Sequence, residues 1–209
     1  METVVLVHGL WVHGITMELM RRRLARAGYR AVAYSYPSMR LTLSENGVRF
    51  ARYLRELSAS RLHLIGHSMG GLIVLRTLEL ATGLPPGRVV LAGTPFAGSY
   101  SARRVEQLPG GRTVLGRSLP EWLETVHARP VPDREIGVIA GTRPLGLGRL
   151  VAPNLPRPSD GVVSVEETRL PGMRDHIVLR VSHTGMLVSR AVVRQVCAFL
   201  RSGAFAHQG

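Results

Sequence analysis

The sequence predicts an α/β fold, a single domain over residues 1–209 with about six parallel strands flanked by helices. Short apolar runs bounded by turn residues alternate along the chain with longer segments in which apolar residues recur at helical spacing. A chain of 209 residues, 45% of them hydrophobic, is long enough to bury a substantial core in one domain.

The strands are expected where apolar runs end at Gly, Pro or polar residues. These runs lie at 3–7, 30–35, 62–65, 88–92, 136–140 and 176–181. Helical spacing between them predicts four main helices. We expect these from Met17 to near Gly28, from a cap at Ser44 to Leu57, directly after Gly70, and from Met186 to Leu200.

The most informative stretch is 61–81, where a strand, a tight turn and a helix follow one another directly. The turn reads Gly66-His67-Ser68-Met69-Gly70, a G-x-S-x-G pattern. In this context the pattern predicts a serine hydroxyl held exposed on a strained backbone, with glycines where side chains would collide. The amino terminus of the following helix favours developing negative charge. Ser68 is therefore the candidate nucleophile, although the five-residue pattern alone also occurs in ordinary Gly-rich turns.

A candidate acid and a candidate base follow from chain order. Only three aspartates exist, and Asp133 and Asp175 both precede strands, whereas Asp160 follows one. Catalytic residues of open α/β sheets collect after the carboxyl ends of strands, which favours Asp160. Of the eight histidines, only His183 comes directly after the last predicted strand and completes the order Ser, Asp, His.

Four segments together resemble the α/β-hydrolase family, and within it the small bacterial lipases and esterases. They are GHSMGG at 66–71, HGL at 8–10, GTPFAGS at 93–99 and DGVV at 160–163. The resemblance implies a minimal α/β-hydrolase fold with strands in the spatial order 2-1-3-4-5-6. It also implies Ser68 as nucleophile, Asp160 as acid and His183 as base.

The same resemblance implies an oxyanion hole built from the backbone N–H groups of Leu10 and Met69. The family places its cap or lid after the GTP-x-x-GS segment, so 99–135 is expected to be a small cap insertion. The alternative is a packed helix pair without a gating role. Apolar residues beside these segments are candidates for the substrate pocket, although Trp11 could equally be ordinary packing. The pocket candidates are Trp11, Phe96, Trp122 and Leu123.

The implied activity is hydrolysis of carboxylic esters through an acyl-enzyme on Ser68, with a small-molecule or lipid ester as substrate. Thioesters or amides could be cleaved by the same three residues, because fold does not choose the substrate. A different class of function is a non-catalytic basic protein on a hydrolase scaffold that binds membranes or nucleic acid.

The charge balance is strongly basic. All 27 basic residues are arginine, against 14 acidic residues, for a net charge of +13. The densest cluster comprises Arg21, Arg22, Arg23, Arg26 and Arg30. A solvated basic face is the simpler interpretation, and contact with an anionic membrane surface is the functional one. No aromatic residues interleave with the arginines, so nucleic acid is not expected as a partner.

The remaining composition argues against disulfides and metals. Cys197 is the sole cysteine, so the chain cannot form an intrachain disulfide. Neither HExxH nor paired cysteines occur, and few aspartates remain to hold calcium, so no metal or other cofactor is expected. With no recognisable signal peptide and no run long enough to span a bilayer, we expect a cytoplasmic protein that is at most peripheral to a membrane. The oligomeric state is not predicted.

Overall fold

The computed structural model describes residues 1–124, 134–145 and 152–207. Its sheet has six parallel strands in the order β2-β1-β3-β4-β5-β6, as predicted. The strands are β1 (Thr3–Val7), β2 (Arg30–Tyr34), β3 (Leu62–His67), β4 (Val89–Ala92), β5 (Ile136–Gly141) and β6 (Asp175–Leu179).

Seven α-helices lie within the described ranges. They are α1 (Glu18–Arg26), α2 (Leu43–Glu56), α3 (Met69–Leu80), α4 (Tyr100–Glu106), α5 (Gly111–Leu115), α6 (Ser118–Glu124) and α7 (Arg190–Ser202). Short 3₁₀ helices cover Gly14–Met17, Glu166–Thr168 and Thr184–Leu187. No helix in the described part of the chain has the length and apolar character needed to cross a bilayer.

The sheet is covered on both faces, and this explains its continuous apolar strands. One face packs against α2, α3 and the segment 100–124, with Phe50, Leu72 and Trp122 fully or almost fully buried. The other face packs against α1 and α7, which contribute Leu24 and Phe199 among others. The two layers hold the strand ends rigidly, so the loops after them can carry a site.

Two predicted helix starts are wrong, and in each case the reason is that another residue caps the helix. Thr42, not Ser44, caps α2, because Thr42 Oγ1 accepts from the Glu45 N–H and the Glu45 carboxylate accepts from the Thr42 N–H. Helix α7 begins at Arg190 rather than Met186. Ser189 caps it by accepting from the Val192 N–H at 3.3 Å.

The segment after Ser99 forms three short helices, α4 to α6, in agreement with the predicted interruptions at Gly and Pro. Helix α6 is attached to α2, because Asn46 Nδ2 donates to Ser118 Oγ at 3.0 Å and Ser118 Oγ donates to the Leu41 carbonyl at 2.9 Å. Residues 125–133 lie outside the described ranges. Asp133, one of the three aspartates in the sequence, is among them.

Candidate active site

Ser68 occupies the turn between β3 and α3. Its backbone has φ 55° and ψ −128°, and only Trp11 among the other described non-glycine residues also has a positive φ. Such a conformation is costly for a residue with a Cβ, and it persists only where the surrounding structure fixes it. The Ser68 N–H donates to the Ala92 carbonyl at 2.9 Å, which ties this turn to the end of β4. The serine side chain remains partly exposed.

The two glycines of the turn are required by close backbone contacts. A Cβ added at Gly66 would lie 2.3 Å from Gly71 Cα, and one added at Gly70 would lie 2.3 Å from the Val7 carbonyl oxygen. Both contacts are with backbone atoms, which cannot move aside. Glycine therefore allows α3 to start directly against the end of β1.

The loop after β1 lies against Ser68. A Cβ added at Gly9 would be 3.1 Å from Ser68 Cβ. His8 fixes this loop, since its Nδ1 lies 2.8 Å from the Gly9 carbonyl and its Nε2 accepts from the Tyr36 N–H at 3.3 Å. The Tyr36 hydroxyl donates to the His8 carbonyl at 2.9 Å, and the two rings stack at 4.4 Å. Burial lowers the pKa of His8, so its imidazole is neutral and serves as a support for the loop.

Two backbone N–H groups are free to donate near Ser68. The Leu10 N–H has no hydrogen-bond partner within the part of the chain that the structure describes. Met69 is the first residue of α3, and an N–H at that position has no partner inside its own helix. These are the two groups that the family resemblance implies for an oxyanion hole.

Asp160 and His183 form a buried pair. His183 Nδ1 donates to Asp160 Oδ2 at 2.7 Å, and the His183 backbone N–H donates to the Asp160 carbonyl at 3.0 Å. Asp160 Oδ1 accepts from the N–H groups of Val162 and Val163 at 2.9 and 2.8 Å. Asp160 is 0% exposed and His183 is 7% exposed. Because a carboxylate can only accept hydrogen bonds, the Nδ1 that faces Asp160 Oδ2 carries the hydrogen, and in the neutral ring Nε2 is then free to accept a proton.

The end of β4 connects this pair to the serine turn. A Cβ added at Gly93 would lie 3.1 Å from Asp160 Oδ2 and 3.2 Å from His183 Nδ1. The preceding residue, Ala92, accepts the hydrogen bond from Ser68. Ser68, Asp160 and His183, the three candidates that the sequence predicts, therefore surround the end of β4.

His67 adds a second connection that the sequence did not predict. Its Nε2 donates to the His183 carbonyl oxygen at 2.9 Å, and the two imidazole centroids are 4.7 Å apart. Burial, with the nearby His183 as a smaller cause, lowers the pKa of His67 to about 3. The ring is neutral, and it joins the serine turn to the loop of His183.

Asp175 lies at the amino end of β6, at the edge of the sheet opposite Ser68. Its carboxylate accepts from the N–H groups of His176 and Phe205, both at 2.7 Å. This is a structural role at a strand start. His63, inside β3, is fully buried.

The pocket candidates differ in their surroundings. Phe96 and Trp122 are buried and in contact, with ring centroids 5.5 Å apart, and Leu123 packs at the edge of the same apolar cluster as Met69 and Leu10. Trp11 is 58% exposed, and its indole Nε1 donates to the Val114 carbonyl at 2.7 Å. Trp11 thus joins the loop after β1 to helix α5.

Tyr36 and Glu167 also support the site, and nothing in their sequence context singled them out. Glu167 Oε2 accepts from the Ser164 N–H at 2.7 Å, and its other oxygen accepts from the Tyr100 N–H. It therefore connects the loop of Asp160 to helix α4. Such contacts depend on which loops meet in space, which a single sequence does not reveal.

Among the described residues, no group of three or more His, Cys, Asp or Glu side chains is arranged to hold a metal ion. The pair of Asp160 and His183 is committed to its mutual hydrogen bond. The described arrangement offers a hydroxyl, an imidazole, a carboxylate and free backbone N–H groups, which is the set needed for acyl transfer.

Comparison with protein families finds a match to the model described as "Alpha/beta hydrolase family", over residues 4–205. No curated protein sequence matches the chain. Among solved structures, Bacillus licheniformis lipase BlEst2 in its mature form is similar over 97% of this chain and 91% of its own, with 19% identity and a TM-score of 0.77.

Two further solved structures are similar. The metagenomic carboxyl esterase MGS0156 has 18% identity and a TM-score of 0.67 over 87% of this chain and 64% of its own. A structure described among carboxylesterases of the thaumarchaeon Nitrososphaera gargenis has 15% identity and a TM-score of 0.61 over 97% of this chain and 90% of its own. At these identities the likeness is one of fold.

Proposed function

The chain belongs to the alpha/beta hydrolase family, and from this we propose that it hydrolyses carboxylic esters through an acyl-enzyme on Ser68. The main support for the proposal is the buried hydrogen bond of 2.7 Å between His183 Nδ1 and Asp160 Oδ2, which lies next to the strained turn of Ser68. A buried carboxylate that fixes an imidazole beside a partly exposed serine is the arrangement that activates a hydroxyl nucleophile.

In the first step Ser68 Oγ attacks the ester carbonyl carbon while His183 Nε2 takes the serine proton. The tetrahedral intermediate collapses when the C–O bond to the alcohol breaks, and His183 returns the proton to the leaving alcohol. Water then attacks the acyl-enzyme by the same route and releases the acid. Asp160 keeps the imidazole in the required tautomer and stabilises its charged form.

The developing oxyanion would be held by the N–H groups of Leu10 and Met69. Gly9 brings the first of these next to Ser68, and the start of α3 supplies the second. Removing one such donor costs about 3–4 kcal/mol of transition-state stabilisation in comparable enzymes. The buried neutral imidazole of His8 holds the Gly9 carbonyl at 2.8 Å and so keeps this loop in place.

We propose the segment 99–135 as a small cap, and the acyl chain would lie against the apolar residues of its described part, 100–124. Leu123 and Leu10 lie at the edge of an apolar cluster that contains Met69, Phe96 and Trp122. The hydrogen bond from Trp11 to Val114 brings helix α5 to the loop of the oxyanion hole. Both contacts support a cap that adjoins the serine.

A panel of p-nitrophenyl esters, acyl thioesters and anilides of the same acyl group tests the proposal. We expect turnover of the esters, and we expect Ser68→Ala to lose about 10⁶-fold in kcat. Faster cleavage of the thioester or anilide would assign the same residues to another acyl substrate. If no acyl compound is turned over, the non-catalytic alternative replaces the proposal.

A further inference from the structure

Helices α1 and α7 lie side by side, and the groove between them is basic. The groove has a volume of about 430 Å³. It is lined by Leu19, Arg23, Arg26, Arg190, Val193 and Arg194. These residues, hereafter the α1–α7 groove, include four arginines and no acidic side chain. A surface of this composition attracts anions.

The four arginines are not neutralised by carboxylates. Within the described residues, none of them forms an ion pair with Asp or Glu. The nearest acid on α1, Glu18, is already bound by Arg21 and Arg22 at 2.6 and 2.7 Å. Arg23 donates to the Val188 carbonyl, a neutral group, at 2.5 Å. The charge of the groove is therefore available to an external anion.

Apolar side chains are exposed beside these charges. Leu19 is 39% exposed in the groove, and Val188 is 54% exposed next to Arg23. Ile15 is 81% exposed in the 3₁₀ helix that leads into α1. Arginines that flank exposed aliphatic side chains are typical of surfaces that lie in a lipid headgroup layer. The groove residues include no aromatic side chain on which a nucleic-acid base could stack.

One end of the groove lies on the same side of the sheet as the candidate site. Helix α1 follows the loop that contains Leu10, and α7 follows the loop that contains His183. The amino-terminal ends of both helices therefore lie at the same edge of the sheet as Ser68. Ile15, Leu19 and Val188 belong to this end, so a flat surface bound here would lie beside the catalytic edge.

We propose that the α1–α7 groove docks the protein on a membrane that contains anionic phospholipids. The arginines contact lipid phosphates, and Ile15, Leu19 and Val188 insert at the boundary between headgroups and acyl chains. This inference stands apart from the proposed ester hydrolysis, because it concerns binding to a lipid surface and is tested without turnover.

Cosedimentation with vesicles tests the proposal. The full chain should bind vesicles of phosphatidylcholine mixed with phosphatidylglycerol, should not bind phosphatidylcholine alone, and should dissociate as salt is raised. Each arginine near an anionic bilayer is worth about fivefold in partitioning, so Arg26→Gln with Arg194→Gln should weaken binding roughly 25-fold. Arg23→Gln with Arg190→Gln is a second, independent pair with the same expected loss.

The matched control removes two charges from the opposite face of the sheet. Arg52 and Arg55 are exposed on α2, so Arg52→Gln with Arg55→Gln has the same net charge as the groove variants. We expect the control to bind within about twofold of the wild type. Equal losses in control and groove variants would overturn the proposal, since net charge alone would then explain binding. Binding to neutral vesicles, or to neither kind, would overturn it as well.

A last variant distinguishes binding to a lipid surface from binding to a polyanion. Ile15→Ser should weaken vesicle binding and leave binding to a duplex oligonucleotide unchanged, because only lipid receives the apolar side chain. If the groove binds the oligonucleotide and not the vesicles, the partner is a nucleic acid and the proposal is wrong. Far-ultraviolet circular dichroism of each variant verifies that the fold is retained.

Discussion

The imidazole of His67 donates a hydrogen bond of 2.9 Å to the backbone carbonyl oxygen of His183. The residue directly before the candidate nucleophile thus holds the loop that carries the candidate base. Two chain segments 116 positions apart are joined by this contact inside the protein, where water cannot substitute for it. Its loss should move the imidazole of His183 without removing any reacting group.

Substitution of His67 tests this role. His67→Phe removes the donor, and we expect kcat for a short ester to fall roughly 10²-fold through misplacement of His183, with little change in KM. His67→Gln retains an amide N–H and should recover most of kcat. If the two variants are equally active, or if kcat tracks only the melting temperature, His67 does not position His183.

The lowered pKa of His67 also predicts a pH effect on stability. Its native pKa of about 3 lies below the ordinary value of 6.5, so between these values the unfolded chain binds a proton that the native protein excludes. Stability should therefore fall with decreasing pH from 6.5 downward, by at most about 1.4 kcal/mol per pH unit from this group.

Urea unfolding at about pH 7 and about pH 5 measures this effect. His67→Gln should show a smaller difference in unfolding free energy between the two conditions than the wild type. Burial lowers the pKa of His8, His63 and His176 in the same direction, so part of the difference remains in the variant. An unchanged difference in His67→Gln would contradict the prediction.

The acid assignment is tested by a pair of isosteric substitutions. In Asp160→Asn the amide oxygen can still accept from Val162 and Val163, but its NH₂ group then faces His183 and stabilises the wrong tautomer. We expect kcat to fall roughly 10⁴-fold with the fold retained. Asp175→Asn should lower stability and leave kcat near wild type. A large loss of kcat in Asp175→Asn alone would reverse the assignment.

The sheet and the three candidate residues could be predicted from sequence because they follow from local patterns. Buried parallel strands are apolar over most of their length, and the G-x-S-x-G turn is specified by glycines at which any Cβ would collide with Gly71 or Val7. The position of Asp160 and His183 after strands indicates them as acid and base, and this position follows from chain order alone.

The contacts that hold the site were not predictable in this way. Hydrogen bonds join His67, Tyr36 and Glu167 to residues that are distant in the sequence. No periodic pattern of residue types indicates such pairs. The predicted helix cap at Ser44 is wrong, because Thr42 and Glu45 form a reciprocal capping box and Thr42 caps the helix instead. Ser44 instead donates to the carboxylate of Glu121 in α6.

The cap proposal predicts a dependence on acyl-chain length. Burying one methylene is worth about 0.8 kcal/mol, roughly fourfold, so kcat/KM should rise over several added carbons. Leu123→Ala should flatten this rise and spare acetyl esters. Trp122 is only 1% exposed, and its replacement would cost about 3–5 kcal/mol of stability, so it is unsuited to this test.

Leu108→Ala is the matched control for the cap, because Leu108 is 52% exposed in the same segment. We expect the control to keep the wild-type profile across p-nitrophenyl esters of increasing length. If Leu123→Ala also keeps that profile while its melting temperature falls, α6 is a packed helix without a role in selectivity.

Covalent labelling by a fluorophosphonate tests most directly whether Ser68 is the nucleophile. The reagent captures an activated serine, and intact-mass analysis followed by peptide mapping locates the adduct. We expect one adduct per chain, on Ser68, with labelling abolished in Ser68→Ala and strongly slowed in His183→Ala and Asp160→Asn. An adduct on any other residue, or ester hydrolysis that persists in Ser68→Ala, would contradict the assignment of Ser68 as the nucleophile.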